Sequence, residues 1–181
     1  MSELVVKLAK LHSGQEVVKS QMKRFNVLDC GRRWGKSKLS INLMCEVALA
    51  GYPVGYFAPT YKLLEGTYRE TLIALQSCVR RKHDNQFIEL ITNGMIEFWS
   101  LENPLAGRSR KYKRAIIDEA AFTKDLQQSW NEAIRPTLTD LKGDAFLMST
   151  PKGKNDFYKF FMRGKNQDGD WMSWQMPTET N

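Results

Sequence analysis

The stretch Cys30-Gly31-Arg32-Arg33-Trp34-Gly35-Lys36-Ser37 constrains the fold more than any other part of the chain. A short apolar run, Phe25-Asn26-Val27-Leu28, precedes it, and a segment with helical spacing, Leu39 to Ala50, follows. Strand, glycine-bearing loop and helix in that order form the context a phosphate-binding loop requires. Such a loop turns successive backbone N–H groups toward one point, and the helix N-terminus adds its partial positive charge there. Lys36 is placed to reach β- and γ-phosphates, and the Ser37 hydroxyl to hold Mg²⁺. Gly35 has no Cβ, so the backbone can pass close to the phosphates. The pattern G-x-x-x-x-G-K-[ST] asks for glycine at position 30, where this chain has Cys30. Read alone, the stretch is also compatible with a Gly-Lys-Ser turn ahead of an ordinary helix.

A second string bears on that choice. Ala115-Ile116-Ile117-Asp118-Glu119 reads as a buried strand ending in a Walker B carboxylate. Asp118 would meet Mg²⁺, directly or through water. Glu119 sits where the strand ends and can accept a proton from an attacking water. An apolar-Asp-Glu string is common by chance, but following a P-loop it points to nucleotide hydrolysis. A further buried strand, Ala145-Phe146-Leu147-Met148, ends in Ser149-Thr150-Pro151-Lys152-Gly153. Hydroxyls there lie on the ligand side of an open α/β sheet and could sense a γ-phosphate. A simple Ser/Thr-Pro turn is the other reading.

The remaining segments alternate between the two periodicities. Residues 1–10 carry Leu4, Val5 and Leu8 at helical spacing and read as an N-terminal helix or arm. Ser13 or Gly14 starts the next helix, with Val17, Val18 and Met22 on its buried side. Within it, the Gln15 amide offers the donor and acceptor an adenine edge needs. A solvated glutamine in a first turn is the alternative. Residues 54–58 read as a strand and 61–80 as a helix, with Leu64, Tyr68, Leu72, Ile73 and Leu75 inward. This helix ends in Arg80-Arg81-Lys82, a solvated basic end or a phosphate contact. Two strands, 88–92 and 95–99, flank Asn93-Gly94 and read as a tight antiparallel hairpin. Residues 108–114 are a basic run, open to three readings: DNA binding, an arginine inserted across a subunit boundary, or a solvated loop. Residues 127–138 read as a helix interrupted at Pro136, with Trp130 in the core, residues 155–163 as an aromatic-rich helix, and 171–176 as a strand.

At 181 residues, with 42% hydrophobic and 26% charged positions, the chain reads as one globular domain large enough to bury a core. It contains no membrane-length apolar run and no signal-peptide pattern, so no membrane association is expected. Cys30, Cys45 and Cys78 form no CxxC pair, which argues against zinc and for reduced thiols. The net charge of +7 favours polyanionic partners.

Gly31-Arg32-Arg33-Trp34-Gly35-Lys36-Ser37, Ile117-Asp118-Glu119-Ala120-Ala121-Phe122 and Ser149-Thr150-Pro151-Lys152-Gly153, together with Gln15 and the tail from Asn155 to Thr178, resemble the ATPase domain of the large terminase subunit, the DNA-packaging motor of tailed bacteriophages. That family's P-loop also lacks the first glycine and carries arginine inside the loop, so Cys30 fits the resemblance. The resemblance implies an α/β P-loop NTPase of the RecA-like (ASCE) type: a mostly parallel sheet flanked by helices, with the hairpin added, and the catalytic strand between the P-loop strand and the next. It implies a Mg²⁺-dependent ATP hydrolase that packages double-stranded viral DNA into a procapsid, in the cytoplasm of the infected bacterial host. ATP would be bound by Gln15 (or Gln21), Gly31, Arg32, Arg33, Trp34, Gly35, Lys36, Ser37 and Lys38. Ser37 and Asp118 would hold Mg²⁺, and Glu119 would be the catalytic carboxylate. Arg32 would be a nucleotide sensor or finger within the subunit, Arg108 the finger acting in trans with Arg110 its competitor, and Ser149-Thr150-Pro151 the coupling motif. Implied partners are a homo-oligomeric ring on a portal and the small terminase subunit, with the isolated domain monomeric. Residues 1–181 would be the single ATPase domain, without the family's C-terminal nuclease domain and its activity. A helicase-type translocase and a basic DNA-binding module with a vestigial nucleotide site are the rival readings. The first would need a second RecA-like domain, and the second would not need Lys36, Ser37, Asp118 and Glu119 intact.

Overall fold

Buried apolar strands that alternate with helices can be covered on both faces only if helices lie on each side of one sheet. The computed structural model describes residues 6–177 and has this form. Its strands are β1 (Phe25–Cys30), β2 (Pro53–Ala58), β3 (Val79–His83), β4 (Phe87–Leu90), β5 (Met95–Ser100), β6 (Arg114–Ile117), β7 (Asp144–Ser149) and β8 (Trp171–Met176). They make an eight-stranded sheet in the order β3-β4-β5-β2-β6-β7-β1-β8. From β5 to β8 all neighbours are parallel, and β3 and β4 extend that sheet as antiparallel strands. β6 lies between β2 and the P-loop strand β1, with β7 inserted beside β1, which is the ASCE arrangement.

Period-two alternation sorts the core into two layers. Leu28, Tyr56, Ile116 and Phe146 face one side, where α1 (Ser13–Gln21), α2 (Lys36–Leu49) and α3 (Tyr61–Leu75) pack. Val27, Phe57, Ile117 and Leu147 face the other. That side is covered by a 3₁₀ turn (Ala120–Phe122), by α6 (Asp156–Lys165) and by a continuous helical segment of α4 (Leu126–Gln128), a π-helical stretch (Ser129–Ile134) and α5 (Arg135–Thr137). The parallel strands β1, β7, β6 and β2 therefore end along one edge, where their connections can converge on a ligand. Among the described residues no helix is long and apolar enough to cross a membrane.

Several expected elements take a different form. Residues 6–12 have no regular structure, and Leu4 and Val5 lie outside the described residues, as does Thr178. Val17 and Ile73 are exposed rather than inward. α2 starts at Lys36, three residues before the apolar stripe, because its first turn faces the site instead of the core. α3 stops at Leu75, and the run Arg80-Arg81-Lys82 lies in β3. Pairing decides this: β3 runs antiparallel to β4, and Arg81 Nε bonds Glu89 Oε2 across the strands at 2.9 Å. A helix end would forgo that ladder. The hairpin turn is longer than two residues, with Leu90 N–H donating to Gly94 O at 2.8 Å and Asn93 at φ 69°. Gly94 is required by packing as well. A Cβ there would sit 1.8 Å from the Ala48 carbonyl oxygen at the end of α2. The segment 126–137 is not broken at Pro136. It widens to π-helix just before the proline, which carries no N–H to close the α-helical ladder.

Candidate active site

β1 delivers the chain into the P-loop, where Arg33 (φ 64°) and Gly35 (φ 98°) take left-handed conformations. Gly35 is the N-cap of α2 and no side chain caps that helix, so its first N–H groups are left to an incoming anion. The loop is held from behind by α1. His12 Nδ1 accepts the Gly14 N–H at 3.2 Å, so its Nε2 carries the proton and donates to Trp34 O at 2.9 Å. Gln15 Nε2 donates to Gly35 O at 2.9 Å, and its Oε1 accepts the His12 N–H at 3.1 Å. Gln15 is thus buried behind the loop, outside the lining of the cavity in front of it. The signal for this lay in His12-x-x-Gln15, a capping box with histidine in the usual Ser/Thr position. Trp34 is wholly buried, its ring edge-on to His12 at 5.0 Å, so its side chain anchors the loop to the core and faces away from the cavity. Burial pushes the Cys30 thiol up to about 12, which keeps it a small neutral side chain at the position the pattern reserves for glycine.

Opposite the loop, β6 ends at Ile117 and releases Asp118 and Glu119. Asp118 Oδ2 accepts the Tyr56 hydroxyl at 2.7 Å, Tyr56 in turn lies 3.1 Å from Thr67 Oγ1 of α3, and Asp118 Oδ1 accepts the Glu119 N–H at 3.0 Å. Burial raises the Asp118 carboxyl above its ordinary value, with the Tyr56 hydrogen bond working against the rise. Glu119 is left-handed at φ 46° and ψ 41°. Its Oε1 stands 3.9 Å from Lys36 Nζ, and its Oε2 accepts from Ser149 Oγ at 3.3 Å and Thr150 Oγ1 at 3.5 Å. The strand-end hydroxyls of β7 therefore grip the carboxylate.

Loop and strand ends enclose a cavity of about 730 Å³ lined by Arg32, Arg33, Gly35, Lys36, Ser37, Lys38, Glu119 and Thr150 among others. A smaller recess of about 260 Å³ is shared by Ser37, Thr67, Glu70, Asp118 and Glu119. The Ser37 hydroxyl and the Asp118 carboxylate in that recess are hard oxygen donors of the kind Mg²⁺ takes. Among the described residues no three His, Cys, Asp or Glu side chains cluster as a self-contained metal site. A metal here would complete its shell with water and phosphate oxygens, as Mg²⁺ does.

Of the residues singled out in the sequence, Gln15, Gly31, Trp34, Arg108, Arg110, Ser149 and Pro151 do not line the larger cavity, and Asp118 lines only the adjoining recess. Gly31 supplies a carbonyl 3.5 Å from Lys36 Nζ. Arg108 is exposed on the loop between β5 and β6, in no salt bridge among the described residues. Arg110 is engaged, 3.3 Å from Glu97 Oε1 and over the Trp99 ring at 5.7 Å. Tyr56, Thr67, Glu70 and Asn155 were missed by reading the sequence. They lie on β2, on α3 and at the N-cap of α6, and they are brought in only because β2 pairs with β6, α3 packs on β2, and α6 packs on the turn after β6.

No family model matches the chain. It is 51% identical over 49 residues to the large terminase subunit of Thermus phage G20c, a match spanning 27% of this chain and 10% of that protein. It is 28% identical over 149 residues to that of Escherichia phage T5, spanning 78% of this chain and 33% of that protein. The chain thus spans at most about a third of these curated relatives. Among solved structures, the large terminase ATPase domain of Thermus phage P74-26 superposes with a TM-score of 0.77 at 24% identity, covering 92% of this chain and 81% of that one. A large terminase from a thermophilic bacteriophage in complex with ATP-γ-S gives 0.67 at 13% identity, covering 88% and 41%. The chain has the fold of large-terminase ATPase domains, and its sequence is similar to curated large terminase subunits.

Proposed function

We propose that this chain is the ATPase domain of a DNA-packaging motor: it hydrolyses ATP with Mg²⁺, and hydrolysis drives double-stranded viral DNA into a procapsid. One observation carries the reading: Lys36 and Glu119 meet in one cavity, and Ser37 and Glu119 also line the adjoining recess with Asp118. Lys36 and the N–H groups at the start of α2 would hold the triphosphate, with Arg32, Arg33 and Lys38 around it. Ser37 and Asp118 would hold Mg²⁺, which neutralises charge on the β- and γ-oxygens. Glu119 takes a proton from the attacking water as its oxygen bonds to the γ-phosphorus. The bond to the bridging oxygen breaks, leaving ADP and phosphate. Gln15 serves the nucleotide through the loop, and a direct adenine contact requires its amide to exchange a partner. Ser149 and Thr150, already on the Glu119 carboxylate, couple strand β7 to the reaction, with Pro151 beyond them.

The arginine that stabilises the transition state is Arg32 from within the subunit or Arg108 from a neighbour. Arg110 is the poorer candidate, being held by Glu97 and Trp99. The further partners are those of a motor: a ring of copies on a portal, the small subunit, and DNA, toward which the charge of +7 is favourable. A separate nuclease domain and the host cytoplasm belong to the same reading. Steady-state ATPase measurement with and without double-stranded DNA tests it, with expected turnover that rises with DNA and vanishes in Lys36→Ala. An inactive Arg108→Ala mixed with inactive Glu119→Gln under assembling conditions should regain activity, since a mixed interface pairs an intact Arg108 with an intact Glu119. A mixture as inactive as its parts, while the parent assembles and turns over, removes Arg108 from the trans role.

A further inference from the structure

Glu119 presents its carboxylate from a left-handed backbone that residues with side chains rarely adopt. Such a conformation persists only where its surroundings over-determine it. Upstream, Asp118 Oδ1 accepts the Glu119 N–H at 3.0 Å. Downstream, both backbone polar groups of Ala121 are taken. Its N–H donates to Ser149 Oγ at 3.1 Å, and its carbonyl accepts from Asn155 Nδ2 at 2.9 Å. Lys152, from the same loop, lies over the Phe122 ring at 4.7 Å.

Asn155 has a second task. Its Oδ1 accepts the Tyr158 N–H at 3.2 Å and so caps α6. Capping needs only the oxygen, and Asp, Asn and Ser cap about equally well. An amide alone among these adds N–H donors beside the capping oxygen with the reach to span two elements. The bond from Nδ2 to Ala121 is therefore separate from the start of the helix. It joins the N-cap of α6 to the turn that follows the glutamate.

We infer that Asn155 is a positioning residue for hydrolysis. By pinning the Ala121 carbonyl it holds the turn that aims the Glu119 carboxylate at Lys36, and it makes the seating of α6 a determinant of the rate. The inference rests on Glu119 being the general base.

Asn155→Asp and Asn155→Ser separate the two tasks. Each keeps a capping oxygen. Asp turns the donor into an acceptor facing the Ala121 carbonyl, and Ser, uncharged, is too short to reach it. Both variants should melt within about 2 °C of the parent, since the cap is retained. Their affinity for ATP should stay within about twofold while kcat falls about 10–100-fold, the scale of a slightly misplaced reacting group. Adding either change to Glu119→Gln should lower turnover no further, because both act through one group. Peptide-level amide exchange over residues 119–122 should quicken in both. Full kcat in the two variants, beside an inactive Glu119→Gln, overturns the inference and leaves the general base in place. A fall in kcat matched by a fall in melting temperature assigns Asn155 to stability alone and overturns it too. A Glu119→Gln protein as active as the parent removes the general base and the inference together.

Discussion

The two ends of β6 treat buried charge in opposite ways. At its start, Arg114 is 6% exposed and fully matched. Its guanidinium forks onto Asp144 at 2.6 and 2.8 Å, donates to Leu43 O at 3.1 Å and lies over the Phe146 ring at 5.3 Å. Just past its end, Asp118 is held by Tyr56 and the Glu119 N–H, yet burial raises its carboxyl, and Glu119 is set on a strained backbone beside a lysine at 3.9 Å. A saturated charge locks α2, β6 and β7 together. An incompletely matched one keeps affinity in reserve for a ligand. The strand spans from a stability device to a reactive one, and the difference lies in how many partners each charge has been given.

The sharpest way to break the comparison is to neutralise the reactive end. Glu119→Gln keeps shape and removes the proton acceptor, so turnover should fall by about 10²–10⁴ with ATP affinity retained. Steady-state kinetics beside a nucleotide titration checks it, and normal turnover would place the catalytic carboxylate elsewhere. At the matched end, Arg114→Met strands Asp144 and should reduce unfolding free energy by about 3 kcal/mol. Urea denaturation reads that loss, and a variant as stable as the parent would mean the cluster contributes little. ATP turnover per folded molecule should be unchanged.

Tyr56→Phe tests the support beneath Asp118. It keeps the ring and removes the hydroxyl that joins Thr67 to the carboxylate, so the Mg²⁺ needed for half-maximal nucleotide binding should rise about 10–100-fold. An unchanged Mg²⁺ requirement would make the tyrosine a packing residue only. The smallest effect concerns pH. Because burial raises the folded-state carboxyl of Asp118 above its ordinary value of 3.8, its stabilising contribution is full below that value and lost as pH rises through the folded value. Asp118→Asn should therefore melt about 2–4 °C higher than the parent near neutral pH. The gap should close in acid, where both side chains are neutral. The Tyr56 hydroxyl can turn its proton to Thr67 and accept from the new amide, so no polar atom is orphaned. A gap that widens in acid would show that burial does not govern this carboxyl.

Local pattern in the chain was enough for the P-loop, the strand ending at Asp118-Glu119, the hydroxyl-bearing end of β7 and the alternation that makes an α/β sheet. Each of these depends on spacing between near neighbours, and Lys36, Ser37, Asp118 and Glu119 follow from it because a glycine loop before a helix and an apolar strand before two carboxylates carry their geometry with them. Packing between distant segments decided the rest. Arg80-Arg81-Lys82 reads as a helix end until Glu89 stands across from it on β4. Gln15 reads equally as an adenine contact or a solvated glutamine, and only the packing of α1 behind the P-loop places its amide on Gly35. Tyr56 and Asn155 carry no local mark at all, since a strand tyrosine and an N-cap asparagine are ordinary. Their hydroxyl and amide meet Asp118 and Ala121 only because β2 pairs beside β6 and the chain leaving β7 folds back over the turn. A hydrogen bond depends on distances of a few tenths of an ångström, and between segments this far apart in sequence those distances are set by how the layers close.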